Sequence, residues 1–216
     1  IKEAKPVKKL PYSALFKGKL LKRTIVGSLV LIGMNTIQYT LMNWMPSMLK
    51  DLGFDTSTSQ FMTMFCLFRA PFGIFIASLI MDKLPRRVMG VLLPALMAGL
   101  GIATGVLAPS LGITGLIVMT FLLNTVIYMY VCYASAVYVP EMWPTSAKLS
   151  GSGFSNAMGR VSNIFFPFLV TWAAASIGPG SVFILIGIVA VIIAVSIIFL
   201  GVETRGESVE DIGNVD

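Results

Sequence analysis

The sequence has no histidine, two cysteines and little charge: of 216 residues, only 12% are Asp, Glu, Lys or Arg. Without histidine, His-ligated zinc sites and Ser-His-Asp or Cys-His catalysis are excluded together. Cys66 and Cys132 both lie inside apolar runs, where they read as small buried hydrophobes. A soluble domain carries about 25% charged residues, so half the expected solvating surface is missing. What is present instead is 56% hydrophobic residues. Between Thr24 and Gly201 there are eleven charges, and nine of them fall in short clusters. The apolar runs left between clusters are roughly 20 residues or longer, enough to cross a ~30 Å hydrocarbon core. An all-α integral membrane protein is expected. A disordered chain, a disulfide scaffold and a soluble globule are excluded.

Six spans are expected, at about 24–49, 58–81, 88–108, 112–139, 150–177 and 180–201. The breaks between them are polar or turn-rich: Lys50 to Asp55, Asp82 to Arg87, Pro109 to Gly112, Glu141 to Lys148 and Gly178-Pro179-Gly180. The runs are long and lack strict alternation, so they predict helices rather than strands. Residues 1–23 read as a basic cytoplasmic linker or juxtamembrane segment, 24–201 as a six-helix transmembrane bundle and 202–216 as a cytoplasmic tail.

The cations give the orientation. Lys2, Lys5, Lys8, Lys9, Lys17, Lys19, Lys22, Arg23, Lys83, Arg86, Arg87, Lys148 and Arg205 fall on one side, thirteen in all, and Lys50 alone on the other. Both termini are therefore expected to be cytoplasmic, in a plasma or inner membrane. The net charge of +6 is a topology signal, with anionic headgroups rather than nucleic acid as the partner of the basic run. The chain starts at Ile1 on that basic segment, and the latter part of a longer polypeptide is expected.

Polar residues are spread unevenly over the spans. The third and sixth offer little beyond Thr104 and Ser196 and can face lipid. In the first, Asn35, Gln38, Tyr39, Met42 and Asn43 share one helical face. In the fourth, Asn124, Tyr128 and Ser135 share a face with Tyr138 close to it, while Tyr130 and Tyr133 read as packing residues. In the fifth, Gly153, Asn156, Arg160, Asn163 and Pro167 form a polar stripe beside a small one of Ser152, Ser155, Gly159 and Ser162. Amides and phenols on shared faces suit a polar solute, although single polar groups also join helices in membranes, for ~0.6–2 kcal/mol. The small stripe, like Gly101 and Gly105 in the third span, reads as close helix packing.

Arg69 and Arg160 lie within spans, where an arginine costs about 2.5 kcal/mol or more. No Asp or Glu lies in the apolar interior of the six spans. Each arginine either pairs with an acid outside this segment or serves an anionic solute, and the second reading is preferred. Ser152 between Gly151 and Gly153 superficially suggests an intramembrane serine protease, but no histidine is available as its base.

The loops carry a further pattern. Asp82-Lys83-Leu84-Pro85-Arg86-Arg87 resembles the acid-basic-x-Gly-Arg-Arg loop of the major facilitator superfamily, with Pro85 in place of glycine. Tyr138-Val139-Pro140-Glu141-Met142-Trp143-Pro144-Thr145, followed by Gly151, Gly153 and Gly159-Arg160, resembles the end of the tenth helix and the eleventh helix in its sugar and organic-ion branch. Val202-Glu203-Thr204-Arg205-Gly206 is similar to the branch's Pro-Glu-Thr-Lys-Gly ending, and Trp44-Met45-Pro46 fits its seventh helix. The motifs occur in order over nearly the whole chain.

The resemblance implies helices seven to twelve of a twelve-helix secondary transporter, the C-terminal half of the metabolite:H+ symporter-like branch. It implies alternating access against an N-terminal six-helix half, with proton coupling. An organic anion such as a carboxylate metabolite is the expected solute, with Arg69, Arg160, Asn35, Gln38, Tyr39, Asn124, Tyr128, Asn156 and Asn163 as substrate-binding candidates. A neutral sugar is the alternative, and a non-transporting membrane interaction module a second one. A homodimer of halves remains open. Asp82, Arg86, Arg87, Glu141 and Glu203 are expected to form a cytoplasmic gate whose ion pairs hold the outward-facing state. No enzymatic activity, cofactor or metal is expected.

Overall fold

The computed structural model describes residues 10–51, 55–57, 59–60, 64, 69–107, 110, 112–178 and 180–204. Among these, the long elements are all helical: α1 (Gly18–Asp51), α2 (Arg69–Ile80), α3 (Arg86–Leu107), α4 (Gly112–Val131), α5 (Lys148–Ile177) and α6 (Ser181–Leu200). Five helical stretches are long and apolar enough to span a membrane, and Ala70–Ile80 is a shorter apolar helix in the place of the second span. Most of residues 58–68 lies outside the described residues.

Observed bounds fall within two residues of the expected ones except at the start of α1, at the start of the second span, where most of 58–68 lies outside the described residues, and at the end of the fourth, where the α-helix stops at Val131. At its start α1 begins six residues early, inside the segment read as linker. Lys19, Lys22 and Arg23 are good helix formers; Lys19 and Lys22 are exposed, while Arg23 is buried against the bundle. Apolar periodicity marks only the buried part of such a helix.

The bundle is built from close helix pairs. α3 packs along α6 and α1 along α5, α2 lies on α4, and α1 also touches α6. Glycine permits the closest approaches. A Cβ on Gly101 would stand 2.9 Å from the Phe183 carbonyl oxygen of α6, and one on Gly159 2.9 Å from that of Leu31 in α1. Ser155 and Ser162 are buried in the α1–α5 seam beside Gly159, as the small stripe predicts. Leu31, Ile37, Met97, Leu123, Ile186 and Ile193 fill the common core. Outside, α3 presents Val88, Leu92 and Ile102, and α6 presents Ile188, Val191, Ile192, Val195 and Phe199. Such faces suit a hydrocarbon solvent, and α6 has a mean hydropathy of 3.3.

The fourth span is not the single α-helix its apolar run predicts. After Val131 it continues as a π-helix over Cys132–Tyr138 and closes with a turn at Val139–Glu141. Pro140 accounts for the place. It has no N–H to give in either register, and Val139 donates to the Ala134 carbonyl, five residues back, just before it. Met142 then resumes the ordinary spacing by donating to Tyr138 at 3.1 Å. The wider turns seat Tyr133 and Tyr138, both fully buried and stacked at 5.2 Å between ring centroids.

Candidate functional site

Two polar regions stand out, at opposite ends of the bundle. The first gathers where α3 begins and α6 ends. Arg86 heads α3 and grips Glu141 with two bonds, Nε to Oε2 at 3.0 Å and Nη2 to Oε1 at 3.2 Å. This is the fork-on-fork geometry that makes arginine–carboxylate pairs strong. Asp82 lies 3.5 Å from Nη2, and Nη1 donates to the Met81 carbonyl. The Glu203 carboxylate accepts from the backbone N–H groups of Arg86 at 2.8 Å and Arg87 at 3.0 Å. It thus satisfies two donors at a helix N-terminus that otherwise have no partner. Thr204 donates to Glu141 at 2.9 Å, and Arg87 donates to the Ile198 carbonyl.

The π-helix reaches into the same cluster. Tyr133 donates its hydroxyl hydrogen to the Arg86 carbonyl at 2.8 Å, and Tyr138 accepts from the Val202 N–H at 3.1 Å. All five residues expected at a cytoplasmic gate are therefore assembled here. Tyr133, read from sequence as packing, also carries a polar link. No residue count reveals this, because it depends on the change of helical register.

The second region lies between α1 and α5 towards the other end, a cavity of about 420 Å³. α1 lines it with Thr36, Tyr39, Thr40, Asn43, Trp44 and Ser47, and α5 with Asn163, Phe166, Pro167, Val170 and Thr171. The lining is uncharged, with hydroxyls and amides interleaved with apolar surface, as small-molecule sites are. Two buried atoms there have no hydrogen-bond partner, Asn163 Oδ1 and Thr36 Oγ1. A buried acceptor of this kind costs about 1–3 kcal/mol unless something bonds it.

The sequence-derived candidates divide accordingly. Tyr39 and Asn163 line the cavity, as do Asn43 and Pro167 from the same predicted faces. Asn35 does not: it is buried, donates to the Leu31 carbonyl at 2.8 Å and faces Gly159. Gln38, one turn above, is half-buried and outside the lining. Asn124 is half-buried and donates to Thr120 at 3.0 Å, and Tyr128 packs its Cβ against Gly73. Asn156 and Arg160 are exposed on α5, with Asn156 donating to the Ser152 carbonyl at 2.9 Å. Arg69 opens α2, but its side chain lies outside the described residues.

The α1 face centred on Asn35 and Gln38 is thus turned about 100°, one residue, from the lining face. The Asn35 amide is held by its own helix. The missed residues do carry a signal: Thr36, Thr40, Asn43 and Ser47 recur at i, i+4, i+7 and i+11, a polar row in its own right.

Comparison with known proteins agrees with this architecture. The family described as sugar (and other) transporter matches residues 1–215. YdjK of Escherichia coli (strain K12) is 50% identical over 210 residues, which make up 97% of this chain and 45% of YdjK. The niacin transporter NiaP of Acinetobacter baylyi is 27% identical over 217 residues, 97% of this chain and 48% of NiaP. The fold matches XylE, a major facilitator proton:xylose symporter, with a TM-score of 0.70 at 18% identity, over 88% of this chain and 42% of that one. The chain spans less than half the length of the relatives it matches. This chain belongs to the sugar (and other) transporter family of the major facilitator superfamily.

Proposed function

We propose that this chain is the solute-binding C-terminal half of a secondary active transporter, which moves a small organic solute by alternating access coupled to protons. The observation that carries the reading is the α1–α5 cavity, lined by Tyr39, Asn43 and Asn163, where Asn163 also keeps a buried Oδ1 with no hydrogen-bond partner. A membrane bundle gains nothing from leaving a buried acceptor unbonded, whereas a solute hydroxyl or amide would satisfy it. Rocking of this half against an N-terminal one would expose the cavity to each side in turn. The Arg86–Glu141–Glu203 cluster, with Asp82 and Arg87, would serve as the gate.

The solute proposed is an organic anion. Arg160 stands one turn before Asn163 on α5, exposed and among no carboxylates of its own helix, as a cation awaiting a solute would. Niacin, the solute named for NiaP, belongs to this class. A neutral sugar is the second reading, favoured by the absence of charge from the cavity lining; xylose is the solute named for XylE. Uptake of labelled niacin and labelled xylose by Arg160→Gln in the full-length polypeptide separates the two. The anion reading predicts loss of niacin uptake by tenfold or more, on the scale of one charge-assisted contact. Niacin transport unaffected by the substitution, or xylose alone carried, would overturn it.

A further inference from the structure

The segment ahead of α1 is held against the bundle rather than loosely attached. Leu15 is buried in a short 3-10 turn, Tyr12–Phe16, and its carbonyl accepts a bond from Thr24 Oγ1 at 2.7 Å. Leu10 donates its N–H to the Ser146 carbonyl at 3.2 Å, and Phe16 sets its ring edge-on against Phe154 of α5 at 5.3 Å. These contacts fix a strap across the starts of α1 and α5.

The strap's outer surface alternates apolar and cationic side chains. Tyr12 is 67% exposed and Phe16 51%, and Leu149 at the start of α5 is 85% exposed. Between and beside them stand the exposed Lys17, Lys19, Lys22 and Lys148. No acidic residue occurs from Ala4 to Lys50, so nothing in this stretch neutralises the lysines. Rings and leucines that lie at the headgroup level with lysines around them are the chemistry of an interfacial anchor.

We infer that this strap is a built binding surface for anionic phospholipid, whose phosphate-bearing headgroup is held by Lys17, Lys19, Lys22 and Lys148 while Tyr12, Phe16 and Leu149 enter the acyl boundary. Water would leave three large apolar side chains unpartnered, and an uncharged lipid would leave four ammonium groups unpaired. An anionic lipid satisfies both sets at once. Each cation near an anionic surface strengthens attraction about fivefold. The strap's attachment to α1 and α5 means that lipid bound here holds the two helices flanking the cavity at their shared end.

The test uses the full-length polypeptide in detergent, with retained lipid measured by native mass spectrometry against equimolar phosphatidylglycerol and phosphatidylcholine. The inference predicts preferential retention of phosphatidylglycerol by about tenfold or more, falling steeply as salt rises from 0.05 to about 0.5 M. Replacement of Lys17, Lys19, Lys22 and Lys148 by Gln abolishes the preference, and replacement by Arg preserves it. The preference in the native protein would also survive excess inorganic phosphate, which matches the charge without the acyl chains. Equal retention of the two lipids, a preference insensitive to salt, or one kept by the Gln variant would overturn the inference. So would full competition by inorganic phosphate. A Gln variant destabilised equally in both lipids would assign the lysines to contact with the rest of the polypeptide, and that too would overturn it.

Discussion

Around Arg86, a guanidinium and three carboxylates are joined to one another or to backbone at 2.8–3.5 Å. Around Asn163, two residues that line a 420 Å³ space, Thr36 and Asn163, each keep a buried polar atom with nothing to bond. Both regions sit on helices of the same bundle, and both are built from residue types that are costly to bury. The difference is satisfaction. In the ionic cluster the charged groups have internal partners and fix geometry; beside the cavity two polar groups lack them, and there a solute has room to supply the bond. Polarity within a membrane bundle is therefore a poor indicator of a binding site until its hydrogen bonds have been traced.

Substitutions should divide along the same line. Arg86→Ala removes both bonds to Glu141 and the bond to the Met81 carbonyl. Breaking one side of such a pair costs about 2–4 kcal/mol, less than for a fully buried pair because Glu141 is partly exposed. Unfolding in mixed micelles measures it, and a loss under 1 kcal/mol would mean that the cluster does not lock the fold. Glu203→Gln keeps an acceptor for one N–H of α3 but gives up the second and the favourable charge at the helix start. A loss of about 1 kcal/mol is expected in the same assay.

Tyr133→Phe removes only the donor to the Arg86 carbonyl, and about 1 kcal/mol or slightly less should go with it. If the π-helix exists to place that hydroxyl, Tyr130→Phe should differ, because the Tyr130 hydroxyl is buried without a partner. That substitution should leave stability unchanged or raise it by a few tenths of a kcal/mol. Equal losses from the two phenylalanines would contradict the distinction between linked and unlinked tyrosines.

Much of the fold is legible in the sequence because a bilayer allows few alternatives. Spans must be long, apolar and helical, so charge clusters such as Asp82 to Arg87 mark their ends. The ionic cluster is legible for a related reason. Charges within the bundle are scarce, and Asp82, Arg86, Arg87, Glu141 and Glu203, which flank the spans at this end, gather in one cluster. The cavity is harder to read. Asn35 and Asn124 carry the same side chain as Asn163, yet the first two donate to their own helices four residues back. Which amide turns inward and which outward is decided by the neighbouring helix, here by Gly159, whose missing Cβ leaves the room that the Asn35 amide occupies. The π-helix is equally hidden, since Pro140 marks where a bond is lost but not how the turns before it widen.

The central claim is that Asn163 serves a solute rather than the fold, and Asn163→Leu tests it most directly. Leucine fills similar volume and removes the unpartnered Oδ1, so thermal stability should hold within about 1 kcal/mol or improve. Solute uptake by the full-length polypeptide, measured on the same preparation, should fall by about tenfold or more in kcat/KM. Uptake at the native level, or a fall in uptake matched by a fall in stability, would contradict the account.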